Sequence, residues 1–156
     1  MAKKKLYRPN VAAIIVAHDY PKTTKIMIAE RSDIRGIWQF PQGGIDKGER
    51  SEEALLRELE EEIGTDKVEV IAKYPKWISY EFPEHVGKRM KPYIGQKQRY
   101  YLVRLKKKAV IKLDTKHPEF IDHKFVELDD LFEHLSHFKK PVYKKVIKYF
   151  KKEGLL

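Results

Sequence analysis

Apolar residues along this chain fall into short β-branched runs and a few stretches with a helical repeat. Val11 to Ala17 and Lys25 to Ala29 are two such runs, separated by Asp19-Tyr20-Pro21-Lys22-Thr23-Thr24, and the pattern predicts a hairpin. Trp38-Gln39-Phe40 predicts a short strand ended by Pro41, and Val68 to Tyr74, Trp77 to Phe82, Arg99 to Leu105 and Lys124 to Leu128 also have strand character. On a helical wheel Leu55, Leu56, Leu59 and Ile63 fall within one arc of about 100°, and Glu58, Glu61 and Glu62 fill another. A two-faced helix over roughly 52–63 follows, with Ser51 placed to cap it, Glu52 and Glu53 at its positive end and Gly64 to stop it. Asp129 to Leu135 and Pro141 to Lys152 read as further helices. In the last, Val142, Val146, Tyr149 and Phe150 face inward while Lys144, Lys145, Lys148, Lys151 and Lys152 face out. Strands interleaved with helices predict an α/β (α+β) fold, a mixed central β-sheet flanked by helices.

A length of 156 residues suits one domain, 1–156, able to bury about two-thirds of the surface its unfolded chain exposes. No apolar run approaches the roughly 18 to 20 residues of a membrane span, so none is expected. The start Met1-Ala2-Lys3-Lys4-Lys5 is basic like a leader, but Leu6-Tyr7-Arg8-Pro9-Asn10 intervenes before the first apolar run, which argues against secretion. Zero cysteines exclude disulfides and thiolate metal ligands and fit a reducing cytoplasm, the expected location. Net charge is +10, yet residues 49–64 hold seven Glu against two Arg, so the remainder carries +15. A basic surface around an acidic pocket suits a polyanion whose reacting phosphate is held through a metal; a generic solubility surface would look the same from charge alone.

The acidic segment is where chemistry concentrates. Like charges at i,i+3 and i,i+4 cost roughly 0.2 to 0.5 kcal/mol per pair. Arg57 can pair with Glu61, but Glu58 and Glu62 have no nearby cation in sequence. Mg²⁺ or Mn²⁺ would resolve the repulsion, because hard cations take carboxylate oxygens. An isolated Glu-rich helix is usually just a solvated face; Gly43 and Gly44 ahead of this one let backbone approach the same ion or a phosphate closely, which favours the metal. Elsewhere, Arg8 precedes a proline and so sits on extended chain where its fork can clamp a phosphate, and Arg31 and Lys97 invite the same reading. Strand alternation puts Gln96 and Gln98 on the face opposite Lys97, so the three cannot all enter one pocket. The outward lysines of the last helix could attract RNA or an anionic membrane surface, or be merely solvated.

Gly43, five residues, Glu49, seven residues and then Arg57-Glu58-Leu59-x-Glu61-Glu62-x-Gly64 resembles the signature of the Nudix hydrolases. Thr65 departs from it, standing where a bulky aliphatic residue is usual. Tyr7-Arg8-Pro9-Asn10-Val11, Trp38-Gln39-Phe40-Pro41-Gln42-Gly43-Gly44, Ile94-Gly95-Gln96-Lys97-Gln98 and Pro118-Glu119-Phe120 extend the likeness to the bacterial RNA pyrophosphohydrolases and the overlapping dinucleoside polyphosphate hydrolases. The resemblance implies an α/β/α sandwich with the signature as a loop-helix-loop and C-terminal helices. It also implies Mg²⁺ or Mn²⁺ held by Glu58, Glu61 and Glu62, with Glu119 reaching in as a further ligand or base. The general base stays open among Glu58, Glu62 and Glu119, and Phe138-Lys139 is expected beside the base of the RNA. The implied substrate is 5′-triphosphorylated RNA, or a dinucleoside polyphosphate such as diadenosine tetraphosphate; a non-catalytic RNA-binding module is the reading from another class.

Overall fold

A computed structural model of the protein describes residues 6–135 and 138–156; the basic start at 1–5 lies outside the described residues. The strands are β1 (Tyr7–Val16), β2 (Ile26–Arg31), β3 (Trp38–Gln39), β4 (Gln42–Gly44), β5 (Val68–Lys73), β6 (Ile78–Glu81), β7 (Gly95–Leu105) and β8 (Phe120–Val126). The helices are α1 (Ser51–Ile63), α2 (Glu84–Gly87), α3 (Leu131–His134, preceded by a 3-10 turn at Leu128–Asp130) and α4 (Lys140–Lys152). All eight strands join one mixed sheet in the order β3-β2-β1-β7-β5, with β4 beside β1, β6 beside β7 and β8 beside β2. Its spine is the parallel ladder of β1 on β7, from Tyr7 opposite Gly95 to Val16 opposite Arg104; every other pairing is antiparallel.

Period-two alternation on β1 divides two cores. Ala12, Ile14 and Val16 join Tyr100, Leu102 and, from α4, Val142, Tyr143, Val146, Ile147 and Phe150. Val11, Ala13 and Ile15 join Tyr101 and Val103 under Leu55, Leu59 and Ile63 of α1. Helices therefore cover both faces, which is the predicted α/β/α sandwich. No helix among the described residues is long and apolar enough to cross a membrane.

The expected hairpin is only partly a hairpin. β1 and β2 are antiparallel but meet at a single pair, Val16 opposite Ile26, and then diverge. Into the fork comes β4, laid antiparallel on Asn10, Val11 and Ala12, while β2 turns to pair with β8 and β3. Gly43 and Gly44, which carry no strand signal of their own, are thus part of a strand, and the fork is what opens the sheet beside α1.

The cap of α1 also differs from expectation. Arg50 is the N-cap, and its backbone N–H donates to the Glu53 carboxylate at 3.4 Å. Ser51 is already helical, with its hydroxyl 2.6 Å from that of Tyr101, which ties the helix start to the sheet instead. Gly64 ends the helix with φ of 75°, and a Cβ there would meet the Lys112 carbonyl oxygen at 2.7 Å. Thr65 is buried, and its hydroxyl accepts the Lys67 N–H at 3.1 Å, so a small side chain that bonds its own turn replaces an aliphatic one.

Candidate active site

The fork and α1 create a cleft of about 610 Å³. On its acidic side one arginine organises the helix carboxylates. Arg57 donates through Nε and Nη2 to the two oxygens of Glu49, both at 2.8 Å, through Nη2 to the Gly44 carbonyl at 2.8 Å and through Nη1 to Glu58 at 2.8 Å. Its expected i,i+4 partner Glu61 is a looser contact at 3.3 Å, so the arginine chiefly ties the helix to β4 and the loop after it. Glu49 also accepts the Asp46 N–H at 3.0 Å, and Arg57 followed by that bond holds its carboxyl down at about 2.

Two carboxylates are pressed into the interior. A Cβ added to Gly43 would fall 1.9 Å from the Glu58 carboxyl carbon, so glycine is required for that carboxylate to rest on β4. Glu62 is 6% exposed and accepts the Gln42 N–H at 3.1 Å. Burial, then the charges of Glu58 and Glu119, push the Glu62 carboxyl well above its usual range. Glu58 is raised too, by burial, against the pull of Arg57.

Cations and aromatics line the rest. Arg8 lies over the backbone, where a Cβ on Gly44 would come 2.5 Å from its guanidinium. Arg31 borders the cleft with its fork paired to Asp33 at 2.6 and 2.8 Å. Lys139 is 2% exposed; its ammonium donates to the Gln42 side-chain oxygen and lies 5.3 Å from the Tyr80 ring centre. Burial, and then Arg31, lower its pKa to about 7, against the pull of Glu62. Tyr80 packs on Phe82 and Phe138, with ring centres 6.0 and 5.6 Å apart.

Of the residues singled out in the sequence, Arg8, Arg31, Gly43, Glu58, Glu61, Glu62, Gln96, Glu119, Phe138 and Lys139 border this cleft. Lys97 does not: alternation sends it to the other face, 5.3 Å from the Trp77 ring centre. Gln98 lies under the floor, fully buried, donating to Asn10 at 2.8 Å and Gln42 at 2.6 Å and accepting from the Tyr100 hydroxyl at 2.8 Å. Sequence reasoning missed Gln42, which accepts from both Gln98 and Lys139 while its N–H holds Glu62. Its place between Pro41 and Gly43 was the available signal. It also missed α2, four residues with too little periodicity to register, whose His85 and Val86, with Arg89 and Met90 just after it, form part of the cleft wall.

The NUDIX domain family model matches residues 6–150. The RNA pyrophosphohydrolase of a Nitratiruptor species is 62% identical over 97% of this chain and 98% of that protein. The RNA pyrophosphohydrolase of Campylobacter jejuni subsp. doylei is 59% identical over the full length of both chains. Among solved structures, the E. coli dihydroneopterin triphosphate pyrophosphohydrolase superposes with a TM-score of 0.69 at 19% identity, covering 87% of this chain and 92% of that one, a likeness of fold alone. This chain belongs to the Nudix hydrolase family, enzymes that generally need a divalent metal.

The donor set suits such an ion: hard oxygens only, with the buried Glu62 raised first by burial and then by the charges of the half-buried Glu58 and of Glu119. Among the described residues no three acidic or imidazole side chains are already drawn together as a closed metal cage. This predicts a linkage. The folded pKa of Glu62 lies above its ordinary 4.5, so in metal-free protein its contribution to stability is present below about pH 4.5 and is lost as pH rises through the folded value. Without metal, the Tm advantage of Glu62→Gln over wild type should widen as pH is raised above about 4.5, and saturating divalent cation should close it. A difference independent of both pH and metal would rule the linkage out.

Proposed function

We propose that this chain is a metal-dependent RNA pyrophosphohydrolase, which converts 5′-triphosphate RNA ends to 5′-monophosphate ends with release of pyrophosphate or successive phosphates, and so initiates RNA decay. The observation that carries the reading is one continuous cleft with Glu58, Glu62 and Glu119 on one side, Arg8 and Arg31 on its walls and Tyr80, Phe82 and Phe138 beyond. The names of the close relatives support it. A cytoplasmic setting goes with an RNA substrate and a chain of zero cysteines.

Mg²⁺ or Mn²⁺ held by Glu58, Glu61, Glu62 and Glu119, with the Gly43 backbone beside it, would neutralise phosphate oxygens and lower the pKa of the attacking water. Water oxygen forms a bond to phosphorus, an anhydride P–O bond breaks toward the leaving phosphate, and the water proton passes to a carboxylate among Glu58, Glu62 and Glu119. Arg8 and Arg31 orient the phosphate chain by charge-assisted hydrogen bonds. Arg57 keeps Glu58 on β4, and Gln42, braced from below by Gln98 and Lys139, keeps Glu62 in place. Phe138 and Tyr80 offer stacking surface to a base.

The test is competition between a 5′-triphosphorylated oligonucleotide and diadenosine tetraphosphate at equal concentration with divalent metal. Monophosphorylated RNA ends should accumulate first. Preferential loss of the dinucleotide would transfer the site to that substrate, and binding of both without turnover would make the protein an RNA-binding module.

A further inference from the structure

Outside the cleft, the most unusual surface feature is a tryptophan on the opposite face of the sheet. Ile78 points into the α4-side core and Tyr80 packs against it, so alternation turns Trp77 and Ser79 the other way. Trp77 remains 40% exposed although it is the kind of side chain burial favours. Lys97 and Arg99 of β7 stand over its ring, with Nζ 5.3 Å and the guanidinium carbon 4.8 Å from the centre. Neither cation makes an ion pair among the described residues. Arg99 donates to the Pro75 carbonyl at 3.4 Å, while its Nε is buried with no hydrogen-bond partner. Lys73 and Lys76 are exposed nearby in sequence, adding charge of the same sign. On this face α1 begins only at Ser51, against Tyr101, and the sheet beyond it toward Arg99 and Lys97 carries this aromatic and its cations.

The patch is connected to the cleft by geometry. β6 pairs only with β7 among the described strands, so no described strand covers its other edge. Tyr80 on the cleft side and Trp77 on the far side are three residues apart on that edge, about 10 Å along the strand. A flexible single strand leaving the cleft past Tyr80 and Phe82 can turn round this edge and meet an aromatic ring with two cations that form no ion pair among the described residues, the combination that holds single-stranded nucleic acid without regard to sequence. We propose that Trp77, with Lys97 and Arg99, is a second contact for the RNA chain, engaging nucleotides beyond those held in the cleft. The proposal rests on reading the cleft as a site for RNA 5′ ends, and it sets the substrate class as a strand rather than a bare 5′ nucleotide.

Two measurements test it. With a 5′-triphosphorylated decamer as substrate, Trp77→Ala and Arg99→Gln should each raise KM about tenfold with kcat little changed, and Trp77→Phe should restore most of the loss, since base-aromatic stacking needs only a ring. A 5′-triphosphorylated dinucleotide, too short to reach the patch, should show no change with any of the three. Loss for both substrates alike would make Trp77 a support of the fold and overturn the proposal. The second measurement needs no turnover. The chain has two tryptophans, so Trp38→Phe leaves Trp77 as sole reporter. Its fluorescence should be quenched by a 5′-hydroxyl decamer, less so at high salt and less so with Arg99→Gln added. Absence of quenching, or equal quenching by polyglutamate of the same charge, would overturn the assignment. Quenching in a protein that hydrolyses neither RNA substrate would sink the cleft reading while leaving the Trp77 contact in place.

Discussion

Glu62→Gln should lower kcat by on the order of 100-fold or more at saturating divalent metal, a loss of about 3 kcal/mol in transition-state stabilisation. Glutamine keeps the length of the side chain and an oxygen able to accept the Gln42 N–H, so the 3.1 Å bond that orients it can survive. What disappears is a charge at 6% exposure, beside Glu58 and Glu119. In the resting protein that charge is a burden, which is why the variant should fold at least as well as wild type. On the proposed function, its value is realised only when a cation and a phosphate are present. Near-normal turnover in Glu62→Gln would remove this residue from the metal site.

Arg57→Lys should have the second-largest effect, a fall in kcat on the order of 30-fold together with a weaker response to metal. The substitution keeps the charge, so the test is of geometry. The guanidinium reaches Glu49 twice, the Gly44 carbonyl and Glu58, each at 2.8 Å. An ammonium cannot present donors in that fixed fork. Glu58 would then leave the backbone of Gly43, and the acidic cluster would lose its organiser, with about 2 kcal/mol of stability lost as well, less than for a fully buried pair because the side chain is 29% exposed. If kcat and metal dependence are unchanged while Tm alone drops, Arg57 acts on the fold and not on the carboxylates.

How far the sequence revealed this arrangement depends on the range of the interaction. The helix expected over 52–63 is observed at Ser51–Ile63, because apolar spacing and a terminal glycine are local signals. Lys97 and Gln98 illustrate the opposite limit. Alternation correctly separates them onto two faces, but which face holds the cleft depends on the parallel register of β1 on β7, and nothing near residue 97 encodes that register. Gln42 was illegible as a brace for the same reason: its partners Gln98 and Lys139 are 56 and 97 residues away. β4 was hidden because two glycines carry no strand propensity, and they form a strand here only because β1 and β2 part after one pair. The Ser51 cap failed through competition, since the Tyr101 hydroxyl offered that side chain a tertiary partner.

The long β1 to β7 ladder also bears on how the protein comes into being. Its pairings, and the buried bond from Gln98 to Asn10, close 88 residues of chain. Everything in the acidic helix is synthesised well before the strand that completes the floor beneath it. Contacts of such separation order late and slowly, because loop closure must precede the gain from pairing. A nascent chain stopped short of residue 95 would carry all the helix glutamates on a sheet without its central strand, with apolar positions of β1 open to unwanted partners. On the proposed metal site, the competence to bind metal tightly should therefore switch on as a step during synthesis, once β7 and then Glu119 have cleared the ribosome, and not accumulate gradually as the helix carboxylates emerge.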